Sequence, residues 1–143
     1  MFKLKLAKTT DRLSKGVLFH STMTDNTFVI YSEDPNISDT ELKKLAYKAF
    51  DILMGEDPDT RGLDSDECFD KYEEFLKQNK LAEVDEESGS LYEVTRKDLI
   101  DDLEWELGLD EDDIEPSMID ESKIGWYAYG VKLDIIDRHS DRF

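Results

Sequence analysis

Only one cysteine, Cys68, occurs in the 143-residue chain, so an intramolecular disulfide is excluded and a reducing compartment is expected. No apolar run approaches the roughly 20 residues that a membrane-spanning helix needs. Met1-Phe2-Lys3-Leu4-Lys5-Leu6 alternates charge with apolar side chains where a signal peptide would be continuously apolar, so the expected location is the cytoplasm. Histidine is limited to His20 and His139, which together with Cys68 leave zinc without a ligand set. The chain has no G-x-S-x-G, no G-x-x-x-x-G-K-[ST] and no G-x-G-x-x-G, the spacings that build a nucleophile elbow, a phosphate loop and a dinucleotide site. Neither an internal repeat nor a low-complexity linker is evident.

The absence that says most is local. Between Asp98 and Glu121 there is no Lys or Arg, while twelve carboxylates fill the segment. The net charge of −18 is unevenly divided: residues 1–50 carry eight bases against six acids, and residues 51–143 carry ten bases against thirty acids. Concentrated like charge destabilises a compact state through self-repulsion, so this asymmetry is expected to serve a purpose. It excludes nucleic acid and anionic membrane surfaces as direct partners. The one candidate basic patch, Lys3, Lys5, Lys8, Arg12 and Lys15, reads instead as the polar face of an edge strand and its following loop.

What is present argues for a folded domain. Hydrophobic residues make up 38% and aromatics 10%, spread along the chain, and 143 residues fit a single domain over 1–143. Phe2, Leu4 and Leu6 alternate as a strand does, and Gly16–Thr22 and Phe28–Ser32 flank Thr24-Asp25-Asn26 as a hairpin. Ser38-Asp39-Thr40-Glu41 opens a helix with an apolar face of Leu42, Leu45, Ala46, Ala49, Phe50 and Leu53, ending near Gly55. A second helix, from about Ser65 to Lys80, should bury Cys68, Phe69, Tyr72, Phe75 and Leu76, with Asp66, Asp70, Glu73 and Glu74 outward. Leu81–Val84 and Leu91–Val94 read as a hairpin around Glu86-Glu87-Ser88-Gly89. Thr95 and Asp98 then open a third helix that closes at Gly108, and Ile124–Asp137 returns to β character. Strands arriving in hairpin pairs imply an α+β fold: one antiparallel sheet with about three helices packed against it.

On the third helix, Leu99, Ile100, Leu103 and Leu107 form the inward stripe. Asp98, Asp101, Asp102, Glu104 and Glu106 spread over the rest. At about 100° per residue, Trp105 points between Asp98 and Asp101, away from that stripe. It either covers a neighbouring element or stands as an aromatic anchor ringed by carboxylates, as at an interface facing an Arg-rich partner.

Metal and catalytic readings fare poorly. An EF-hand register from Asp57 places Asp59 and Gly62 well but puts Arg61 and Cys68 in ligand positions, and a register from Asp110 puts Glu115 where glycine is required. None of the thirty-six acids is distinguished as an acid/base pair. His20 reads as a satisfied strand residue, His139 as solvated, and Cys68 as an inert core thiol. No catalytic residue, metal or cofactor is expected.

The acids of the second and third helices recur at i, i+3 and i+4, in rows about 5–6 Å apart, comparable to the charge spacing of a nucleic-acid backbone. A surface kept acidic only for solubility would mix both signs. In size, charge, carboxylate rows and lack of catalytic motifs, the chain resembles the small acidic DNA-mimic inhibitors of phages and mobile elements, of the antirestriction and anti-CRISPR type. Ala128-Tyr129-Gly130 is also similar to a stretch near the end of antirestriction proteins, with no match elsewhere in the chain. The resemblance implies a non-catalytic inhibitor, in a host cytoplasm if phage-encoded, that occludes a basic nucleic-acid-binding protein or nuclease. The expected partner-binding residues are Asp66, Asp70, Glu73, Glu74, Asp98, Asp101, Asp102, Glu104, Trp105, Glu106, Asp110, Glu111, Asp112, Asp113 and Glu115. An immunity protein or antitoxin that plugs a toxin nuclease would show the same charge, and an enzyme with an unrecognised acidic site stands as a third reading.

Overall fold

The computed structural model describes residues 14–21 and 25–140. In chain order the elements are β1 (Ser14–Ser21), β2 (Asn26–Ser32), α1 (Asp39–Met54), α2 (Ser65–Gln78), β3 (Leu81–Asp85), β4 (Leu91–Val94), α3 (Arg96–Leu107), three single 3₁₀ turns (Glu111–Asp113, Pro116–Met118, Glu121–Lys123), β5 (Gly125–Ala128) and β6 (Val131–Ser140). The strand expected at Phe2–Leu6, and Lys3, Lys5, Lys8 and Arg12 of the basic patch, lie outside the described residues. Lys15 is a structural cation: its Nζ donates to the Ile37 carbonyl and pairs with Asp39 at 2.8 Å.

The fold is α+β, and the described residues form six strands in the order β3-β2-β1-β6-β5-β4. The sheet is mixed, because β1 and β6 pair in parallel, from Ser14 opposite Leu133 to His20 opposite Ser140. β1 and β2 form the expected hairpin. β3 and β4 do not: β3 pairs with β2, β4 pairs with β5, and among the described residues the two strands form opposite edges of the sheet. Alternation shows which face of a strand is apolar but not which strand lies beside it, and so the two errors share one cause.

The short turn between β3 and β4 can join opposite edges because the sheet curls. Val84 of β3 and Leu91 of β4 enter one apolar cluster with Leu18, Val29, Trp126 and Leu133 on the inner face. A bulge between Gly16 and Val17 bends the β1–β6 pair at the centre. Gly16 has no alternative there, since a Cβ would stand 2.6 Å from Val29 Cγ1. The β-character of Ile124–Asp137 resolves into two strands, β5 and β6, joined by Tyr129-Gly130. Both turn residues have positive φ (52° and 82°), which matches the twist of a tight hairpin.

Helices cover the outer face in two sectors. α1 is capped by Ser38, whose side chain accepts from the Glu41 N–H, and buries Leu42, Ala46, Ala49 and Phe50 against Val17, Phe19 and Phe28. His139 is not simply solvated. It packs edge-on against the rings of Phe19, Tyr47 and Phe50, while Tyr47 donates to Asp137. α2 completes this sector through Cys68, Tyr72 and Leu76, but Phe69, expected inside, is 44% exposed because it lies on the flank of that stripe. In the loop before α2, buried Asp57 accepts from the Asp59 N–H and from Lys48 Nζ, a structural role for the acid that opened the calcium register.

Candidate partner-binding surface

The second sector belongs to α3 and the three 3₁₀ turns, which cover Val94 of β4 and Tyr127 of β5. α3 starts where the sequence requires. Thr95 Oγ1 accepts from the Asp98 N–H, and the Asp98 carboxylate accepts from the Thr95 N–H, a complete capping box. Leu99, Ile100 and Leu103 pack inward against Tyr127 and Ile119. Leu107 was expected to extend this stripe, but it is 56% exposed, since the apolar cluster ends at Leu103.

The segment after α3 is a staircase with a five-residue repeat, which corrects the expectation of no internal repeat. Each step begins with an acid in extended conformation (Asp110, Glu115, Asp120), makes one 3₁₀ turn and ends on isoleucine (Ile114, Ile119, Ile124). In each turn one N–H returns to the leading acid's carbonyl: Asp113 to Asp110 at 2.9 Å, Met118 to Glu115 at 2.9 Å and Lys123 to Asp120 at 3.1 Å. The isoleucines face the cluster over Tyr127, so the polar residues between them turn outward.

This scaffold places the expected residues as follows. Asp101, Glu106, Asp110, Glu111, Asp112, Asp113 and Glu115 are exposed, whereas Asp102 and Glu104 are half-buried. Asp98 is exposed but occupied by its capping role. Trp105 is 74% exposed, which settles its position in favour of a surface aromatic among acids, and exposed Leu107 and Met118 accompany it in the sector. The flanking cations sit at the rim: Arg96 pairs with Glu121 at 2.7 Å, and Lys97 Nζ lies 3.8 Å from Asp101. Asp66, Asp70, Glu73 and Glu74 are also exposed, but on α2, which rests on α1 and β3. The fifteen residues thus fall on two sectors of the outer face.

Sequence reasoning missed a hollow of about 390 Å³ between β4 and α3, lined by Tyr92, Glu93, Val94, Asp98, Asp101 and Asp102. Burial, with the charges of Glu106, Asp98 and Asp101 around it, raises the Asp102 pKa above the ordinary carboxylate value. An arriving guanidinium or ammonium would relieve that repulsion, and an aromatic and an apolar wall would take its alkyl stem. Among the described residues, no group of three or more His, Cys, Asp or Glu is placed to hold a metal ion, and no helix is long and apolar enough to cross a membrane. In comparisons with protein-family models, curated proteins and solved structures, the chain matches none.

Proposed function

We propose that this chain is a non-catalytic acidic inhibitor that binds a basic nucleic-acid-binding protein or nuclease through the α3 and staircase sector, its carboxylates standing in for phosphates. The observation that carries the reading is the single-sign array from Asp101 to Glu115, exposed except at half-buried Asp102 and Glu104, built on a helix and a backbone repeat and bordered by cations at its rim. Preorganised charge of this kind speeds encounter with a basic cleft and is complementary to it. The role is that of the DNA-mimic inhibitors used in phage counter-defence. Trp105 supports the second reading, an immunity protein or antitoxin, because a bare phosphate mimic has no use for an exposed indole, whereas a plug for one nuclease site anchors on one. Both readings require exclusion. A basic partner recovered at low salt should release its nucleic acid as this protein is added, and a stable ternary complex would refute both.

A further inference from the structure

A second slot, of about 680 Å³, opens away from α3, between the end of α1, the start of α2 and the outer face of β3. Its walls differ in chemistry. Leu53, Met54 and the exposed ring of Phe69 form one side, and Glu83, Asp85 and Glu87 the other. Glu83 and Asp85 alternate along β3, so both project to the same side as Leu81, under the helices. None of the three forms an ion pair among the described residues. Behind Glu83 lies the fully buried Tyr72, whose hydroxyl has no partner of ordinary hydrogen-bond geometry and is near enough to feel the Glu83 charge. Burial raises the Glu83 pKa, the Tyr72 hydroxyl lowers it, and the charges of Asp85 and Glu73 add to the rise.

Inward charge on an edge strand also discourages edge-to-edge pairing, and that accounts for Glu83 and Asp85. It does not account for an apolar wall left open opposite them. We propose that this slot binds a basic peptide segment of a partner protein, with an Arg or Lys against Glu83 and Asp85 and an adjacent apolar side chain on Phe69, Met54 and Leu53. The occupant follows from complementarity to both walls. A polyamine would leave the apolar wall bare, and an apolar peptide would leave the carboxylates unpaired. The site is separate from the α3 sector and stands whether or not that sector binds a nuclease.

The test uses the full chain and a blocked Gly/Ser peptide carrying one Arg-Leu-Arg-Phe block, followed by amide chemical-shift mapping and calorimetric titration. Shifts should centre on Leu53, Met54, Phe69 and Glu83. Glu83→Gln and Phe69→Ser should each weaken binding about tenfold, the scale of one charge-assisted contact. Glu104→Lys on α3 should leave it within about twofold. Glu83→Gln removes a charge that burial disfavours, so its melting temperature should not fall and lost binding will not reflect unfolding. The proposal is overturned by absent binding, by equal binding of spermidine or of a peptide with Ser in place of Leu and Phe, or by equal losses from the α3 variant.

Discussion

Trp105 and Asp102 are three positions apart on one helix, yet they predict opposite balances of stability and binding. Trp105 is 74% exposed. Trp105→Ala should therefore change folding stability by no more than about 0.5 kcal/mol, as for ordinary surface positions. If the indole is the anchor, the same change should cost about 2 kcal/mol of binding. A thermal melt and a titration on that variant read both, and a several-kcal/mol loss of stability would return the indole to a packing role. Asp102 is penalised in the free protein by burial and by Glu106, Asp98 and Asp101, with Glu93 also lining its hollow. A carboxyl with a raised folded pKa contributes stability at low pH and loses it as pH rises through that pKa. Asp102→Asn should thus melt higher than the parent at pH 7, and the gap should close below the ordinary aspartate value of about 3.9. Binding of a basic partner should weaken. A variant that is less stable at pH 7 would show that Asp102 is held by contacts rather than strained by charge.

The elements separate what local chemistry dictates from what it does not. If α3 carries recognition, Glu104→Lys with Glu106→Lys should slow association with a basic partner, while Glu33→Lys with Asp51→Lys should not. Equal effects would mean that only overall charge matters. The staircase hangs on its isoleucines, and Ile119, 9% exposed, is the most enclosed. Ile119→Ala should cost about 2–5 kcal/mol, measured by denaturant unfolding. α1 and α3 were legible because their start and stop signals are local, Ser38 with Gly55 and Thr95-Asp98 with Gly108, and α2 because its apolar side chains recur at helical spacing; its Asp64 cap emerges only in the structure. The acids of α3 and the outward direction of Trp105 were legible for the same reason. The staircase was not, because a period of five matches neither the 2 of a strand nor the 3.6 of a helix. Its trace in the sequence is an acid four residues before each of Ile114, Ile119 and Ile124. The slot beside β3 was hidden because it depends on strand neighbours that no local pattern specifies, and the hollow beside α3 because it depends on how the helix folds back over β4.

For the molecule as a whole, a charge of −18 makes salt the simplest probe. Raising ionic strength from 0.1 M to 1 M shortens the Debye length from about 10 Å to about 3 Å, so association with a basic partner should slow steeply while dissociation changes less. Stopped-flow kinetics across that range would show it, and a salt-independent association rate would rule out steering. The parallel pairing of β1 with β6 has another consequence, which concerns how the protein is made. β1 sits at the middle of the sheet, and one of its sides is filled by a strand separated from it by more of the described chain than any other pairing partner. On a ribosome that side stays open until β6 has emerged, an unpaired ledge of the kind on which nascent chains stick to one another. The acids that follow β1 out of the exit tunnel would hold such half-finished copies apart by repulsion, so the charge that crowds the folded surface would also guard the wait for β6.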